Sequence, residues 1–162
     1  MKKTVTISLL LICANIFCFS QTSFYSDGIG FEHNKSWTFS QTKEKEKDIT
    51  YISSSNIVIM KLKAKKDIQV DVEKFIEKWA DEMEEYCYEK MLKIKRRSEI
   101  TDKTIGAAGI EVKYIEFEYG KKEYERLYAF EKEGYLITIR ITGAISSDNN
   151  MILNSFWFMP EN

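Results

Sequence analysis

The stretch from Gly109 to Gly143, GIEVKYIEFEYGKKEYERLYAFEKEGYLITIRITG, restricts the possible folds more than any other part of the chain. It is dense in Ile, Val, Tyr and Phe and is interrupted only at Gly120-Lys121 and at Lys132-Glu133-Gly134. Three antiparallel strands joined as a meander are the expected result. A two-residue turn at Gly120-Lys121 opposes Tyr119 to Lys122, and a type I turn closed by a glycine bulge at Gly134 opposes Glu131 to Tyr135. In that register one face collects Ile110, Val112, Tyr114, Leu127, Ala129, Ile137, Ile139 and Ile141. The other collects Lys113, Ile115, Phe117, Tyr124, Arg126, Tyr128, Phe130, Leu136, Thr138 and Arg140. A bulge is expected near Tyr114-Ile115, where the alternation breaks.

The helical counterpart is Val70 to Leu92, where Val72, Phe75, Ile76, Trp79, Met83, Tyr86, Cys87 and Met91 recur at steps of three and four. That spacing draws one apolar stripe, predicted to lie on the first sheet face. Glu77, Asp81, Glu85 and Glu89 fall four apart on the opposite side and read as a solvated face, because calcium requires oxygens converging from a loop. Upstream, Ile49 to Ser53 and Asn56 to Lys63 read as strands after the mixed-charge stretch TKEKEKD. Downstream, Ser147 to Ser155 reads as a short helix capped by Ser147 or Asp148. Phe156 to Met159 then turns extended, with Phe156 and Phe158 pointing one way and Trp157 the other, as a closing strand of the sheet. The fold class is therefore α+β, a single antiparallel sheet packed by one long amphipathic helix and a short C-terminal helix.

The beginning of the chain is an address. Met1-Lys2-Lys3 precedes the apolar run Val5 to Phe19, and Cys18-Phe19-Ser20 before Gln21 supplies small residues where signal peptidase reads them. Residues 1–20 are expected to be a signal peptide and residues 21–162 a single domain, exported to the periplasm or the extracellular space. Attachment as a lipoprotein is disfavoured, since Ile12 and Phe17 precede Cys13 and Cys18. No stable membrane anchor is expected after cleavage, because the run is short for a bilayer span. Of the 3 cysteines only Cys87 follows the leader, so no internal disulfide is expected and the core must hold the domain. The formal charge of −1 becomes more negative when Lys2 and Lys3 leave, and a chain without a basic excess is a poor fit to nucleic acid.

Catalytic machinery is not evident. His33 is the only histidine, and a triad would require an activated Ser or Cys beside it. Cys87 sits in the helical stripe, where a thiol is a packing group. One histidine and one cysteine cannot make a zinc site. Glu111, Glu116 and Glu118 lie close together without an evident pocket for paired-carboxylate chemistry. Gly28-Ile29-Gly30 is too short for a phosphate loop. The expectation is a non-enzyme with no cofactor and no metal. Tyr and Arg are common interface anchors, so Lys113, Tyr124, Arg126, Tyr128 and Arg140 form the candidate partner-binding set, with Arg126 opposite Arg140 and an acidic protein partner implied. The same face could instead be covered by the short helix and the N-terminal segment.

Several features together resemble the PsbP-like family, named for an extrinsic subunit of photosystem II and including bacterial envelope proteins of the DcrB type. They are KSWTF (Lys35 to Phe39), FIEKWADEM (Phe75 to Met83), TIGAAGIEV (Thr104 to Val112), YLITIRITG (Tyr135 to Gly143) and SFWF (Ser155 to Phe158). The resemblance implies an antiparallel sheet with packed helices and a habit of binding protein partners rather than turning over substrates. No residue-by-residue motif carries over. The expected role is thus an exported, non-catalytic binding protein acting through the sheet face. The alternative is a carrier holding an apolar or anionic small molecule between sheet and helix.

Overall fold

The structure, a computed structural model, describes residues 21–45, 48–64 and 70–159. The expected signal peptide over 1–20 lies outside the described residues. Strands β1 (Gln21–Ser26) and β2 (Ile29–Asn34) form a hairpin closed by Asp27 and Gly28 at φ of 55° and 79°. Two successive left-handed residues match the twist of the flanking strands, which is why Asp-Gly closes two-residue hairpins. Strand β11 (Trp157–Phe158) joins the other side of β2, giving a small sheet ordered β1-β2-β11.

The large sheet begins with β3 (Ser40–Glu44), β4 (Ile49–Ser53) and β5 (Ile57–Lys63) and continues through β10 (Tyr135–Thr142), β9 (Glu123–Lys132) and β8 (Ile110–Tyr119). The outer edge of β8 is shared by β6 (Ile94–Arg97) at one end and β7 (Thr101–Ile105) at the other. Every pairing is antiparallel. The fold class α+β stands, but the single sheet does not. The terminal strand pairs Trp157 with Gly30 and Phe158 with Ile29, so the chain end closes on the N-terminal hairpin and both form a second layer.

The register also differs from the sequence expectation at both turns. Tyr119 pairs with Glu123 around a three-residue loop in which Gly120 and Lys122 take φ of 54° and 65°. The Gly120 amide donates to Lys93 O at 3.0 Å, which holds that residue to the segment before β6. Lys132 pairs with Tyr135 around a two-residue turn, Glu133-Gly134, again with both φ positive at 54° and 78°. Each turn is displaced by one residue, so β9 is turned over relative to both neighbours. No bulge forms at Tyr114-Ile115: β8 pairs continuously with β9 from Lys113 to Tyr119. The alternation breaks there because Tyr114, Ile115, Glu116 and Phe117 are all buried, one pair under each layer.

Helix α1 (Val72–Glu89) starts at Asp71, whose carboxylate accepts from the Lys74 amide at 3.0 Å. It buries Ile76, Ala80 and Cys87 against Ile115, Phe117, Tyr119, Leu127 and Ala129, rather than against the Ile110, Val112 and Tyr114 set. The Trp79 ring meets Phe117 edge-on at 5.7 Å. Two members of the expected stripe fall away. Tyr86 is 44% exposed, and Met91 lies beyond the helix end with φ of 53° and 95% exposure. The second face places Val112, Tyr128, Phe130, Ile137, Ile139 and Ile141 under the small sheet and helix α2 (Ser147–Ser155), whose Ile152 and Leu153 complete the core. The cap of α2 is Ser146, neither Ser147 nor Asp148, its Oγ accepting from the Asn149 amide at 3.2 Å.

The three aromatics of the tail divide as the strand alternation requires. Phe156 and Phe158 are buried, while Trp157 lies over Gly30 and stacks on Tyr25 at 5.2 Å. A Cβ at position 30 would sit 2.1 Å from the Trp157 indole. Gly30→Ala must therefore lift that ring off the sheet, an overpacking cost of about 1 to 3 kcal/mol. Urea denaturation followed by tryptophan emission should show both the lower midpoint and a more solvent-exposed native spectrum.

Candidate functional site

The polar centre of the molecule lies on the second sheet face, toward the β6 and β7 edge. The three-residue loop at Gly120 sets Glu116 of β8 directly across from Arg126 of β9, and Tyr114 across from Tyr128. Glu116 is 8% exposed and Arg126 is 7% exposed. The Arg126 Nε donates to Glu116 Oε2 at 2.6 Å, and its Nη1 donates to Gly143 O at 2.6 Å. Tyr114 Oη donates to the same carboxylate oxygen at 3.1 Å. Arg96 of β6 reaches the other oxygen, Oε1, from a largely exposed position. A carboxylate this deep survives because donors saturate it.

A third cation caps the group. Lys103 of β7 places its Nζ 3.5 Å from the centre of the Tyr114 ring, a favourable cation–π distance. The Arg126 guanidinium lies 4.9 Å from the Tyr124 ring. Burial pulls the Lys103 ammonium below its ordinary value, and Arg126 adds to the fall while Glu116 opposes it. Burial, then the Glu116 charge, pushes the Tyr114 hydroxyl up to about 12. Three cations thus surround one carboxylate, and the two that face water, Arg96 and Lys103, supply the surplus positive charge.

The five residues singled out from the sequence do not come together. Arg126, Tyr128 and Tyr124 share this cluster, but Arg126 and Tyr128 are covered, the latter 3% exposed. Arg140 is on the opposite face, its Nε 3.9 Å from Glu125, because it pairs with Leu127 and not with Arg126. Lys113 stands at the flank of α1, its Nζ 2.7 Å from Glu73 and 2.9 Å from Asp102. The hydrogen bonds it donates to Glu73 and then to Asp102 raise its ammonium above the ordinary lysine range. Arg96, Lys103, Tyr114 and Glu116 are the members that sequence reasoning missed. The charge complementarity of Glu116 with Arg126 was the available signal, since opposite charges directly across a ladder stabilise it and like charges do not.

Two further ionic groups are structural. At the hairpin turn, Asp27 accepts from Thr50 Oγ1 at 2.6 Å and lies 3.0 Å from Lys61 and 3.2 Å from Lys43. Burial alone would raise this carboxyl, but the bonds from Thr50, Lys61 and Lys43 outweigh it and bring the pKa to about 2. That group rivets the small sheet to β4 and β5. On the helix face, Glu125 accepts from Thr142 Oγ1 at 3.0 Å, while its second oxygen finds no hydrogen-bond partner among the described residues. Burial raises its pKa, with Thr142 and Arg140 opposing the rise.

His33 packs edge-on to Phe39 at 4.9 Å, whereas Cys87 lies beneath α1 on the other side of the large sheet. Burial raises the Cys87 thiol, with Glu123 and Glu84 adding to the rise, which keeps it in the unreactive form.

Two antiparallel layers, a long helix on the outer face of the larger one and a short helix with a terminal aromatic strand on the inner, define an α+β fold of the PsbP-like kind. The solution structure of cyanobacterial PsbP from Synechocystis sp. PCC 6803 is similar to this chain with a TM-score of 0.53 and 14% identity. The match covers 86% of this chain and 93% of that one. At this identity the likeness is one of fold. No protein-family model matches the sequence, and no curated protein matches it.

Proposed function

We propose that the chain is an exported, non-catalytic binding protein that engages an acidic protein partner through Arg96 and Lys103. The observation that carries this reading is the imbalance around Glu116, whose carboxylate bonds Arg126 and Arg96 while a third cation, Lys103, lies on the adjoining Tyr114 ring, and of these Arg96 and Lys103 are open to solvent. Arg126 and the tyrosines form the rigid floor beneath them. Excess charge on such a floor attracts an acidic surface at little entropic cost, because Arg96 is already tethered to Glu116. The PsbP-like fold supports a binding role, and the separation of His33 from Cys87 supports the absence of a nucleophile–base pair. The leader read from the first twenty residues supports export.

The test is affinity capture from the envelope fraction with three baits: wild type, Arg96→Glu/Lys103→Glu, and a control reversal on the exposed side of α1, Lys74→Glu/Lys78→Glu. Wild type and the control should recover the same partner, and the site variant should lose it. Recovery should also fall when salt is raised from about 50 mM to about 500 mM, since exposed charges are then screened within a few Å. Equal recovery by all three baits contradicts the reading.

A further inference from the structure

The opposite edge of the large sheet carries a cleft of about 690 Å³ between the segment leading into β3 and the β4–β5 turn. Hydroxyls converge on it from both sides: Ser36, Thr38 and Ser40 from one segment, Ser54 and Ser55 from the other. Among them stands the partly buried indole of Trp37, packed on the core beside Phe39 at 6.0 Å. From this arrangement we infer that the cleft is a binding site for a neutral saccharide, independent of the cationic site on the far edge of the sheet.

Three observations lead to that ligand class. No charged side chain lines the cleft, so an ionic ligand would lose its hydration without a compensating partner. Hydroxyls both donate and accept, which matches a ligand whose own groups do both. The hydroxyls of Thr38, Ser54 and Ser55 take no hydrogen bond within the described residues, whereas Ser40 and Ser53 bond each other at 2.9 Å. The apolar component is Trp37, whose ring offers a flat surface to the C–H face of a pyranose. The loop holding it is fixed in advance. The Trp37 amide donates to Asn34 O at 3.0 Å, and both the amide and hydroxyl of Ser36 donate to Asn34 Oδ1, at 3.0 and 3.1 Å. A preorganised site loses little entropy on binding.

The probes are cellohexaose, laminarihexaose, maltohexaose and chitohexaose, titrated against the protein by calorimetry and by the indole N–H resonances of its tryptophans. Co-sedimentation with insoluble cellulose and chitin forms a second arm that distinguishes polymer from free oligosaccharide. At least one probe should bind and shift the Trp37 indole signal, and Trp37→Ala should weaken it by about tenfold or more. Because Trp37 also touches the core, Ser54→Val/Ser55→Val at the exposed turn provides a second variant, which should weaken the same probe without altering thermal unfolding. Absence of binding to every probe up to about 10 mM, a range in which even weak contact is detectable, overturns the inference. So does binding that both variants leave intact. Arg96→Glu/Lys103→Glu should bind saccharide like wild type, which keeps the two sites separable.

Discussion

Glu116→Gln should lower the stability of the folded protein by about 3 to 5 kcal/mol, because it removes the one carboxylate that compensates a guanidinium only 7% exposed. For a domain of this size that corresponds to a fall of roughly 10 to 15 °C in the unfolding midpoint. The bond from Arg126 Nη1 to Gly143 O survives the change, so the guanidinium stays in place with its charge uncompensated. The double replacement Glu116→Leu/Arg126→Met tests the cause. Both charges then leave together and apolar volume takes their place, so most of the loss should be recovered, leaving about 1 to 3 kcal/mol for the buried Tyr114 hydroxyl that has lost its acceptor. Arg96→Ala removes only the exposed partner, and about 1 kcal/mol or less is expected. A double-mutant cycle by calorimetry gives the coupling directly. If Glu116→Gln and Arg96→Ala cost equally little, the pair is not the floor described above.

The second large effect belongs to the hairpin turn. Asp27→Asn retains a side chain that tolerates the left-handed backbone at φ of 55°, so it isolates the charge. The carboxyl falls from 3.8 to about 2 in the folded state. A depressed acid contributes stability that is fully present above its unfolded pKa and disappears as pH falls through the folded one. Here the window runs from pH 3.8 down to about 2, and two pKa units correspond to about 2 to 3 kcal/mol. At neutral pH the variant also leaves the Lys61 ammonium, 8% exposed, without its carboxylate. A loss of about 3 kcal/mol or more is therefore expected at pH 7. The difference from wild type should shrink steadily below pH 4 in urea titrations. A constant difference across that range would place the contribution of Asp27 elsewhere than in its charge.

These two groups also mark where sequence reasoning held and where it stopped. The long helix, the meander and the aromatic tail were legible because each is written in a local period: 3.6 for the stripe through Ile76, Trp79, Met83 and Cys87, and 2 for Phe156, Trp157 and Phe158. The register of β9 was not, because it depends on whether Gly120 and Gly134 close loops of two or three residues, and both choices leave glycine in an acceptable conformation. With apolar side chains on both faces of β8, hydrophobic pattern does not break the tie. Charge pairing does. The register expected from the turns opposes Arg126 to Arg140, a like-charge contact that destabilises a ladder, whereas the observed one opposes Arg126 to Glu116. The small sheet was missed for a different reason. Asp27-Gly28 is a hairpin signal that a reading of Gly28-Ile29-Gly30 as a phosphate loop passes over, and the pairing of β11 with β2 joins residues more than a hundred positions apart. Such a contact leaves no periodic trace in either segment.

The most direct measurement is site-specific photocrosslinking in the producing cell, with p-benzoylphenylalanine in place of Thr101 in one strain and of Lys78 in another, so that Arg96 and Lys103 both remain. Thr101 is exposed on β7 directly across from Tyr114, two residues from Lys103, whereas position 78 is on the outer side of α1, its side chain 79% exposed. An adduct with a single acidic envelope protein from position 101 alone is the expected result. Adducts from position 78 but not from 101, or none from 101, would contradict a binding surface built on Arg96 and Lys103.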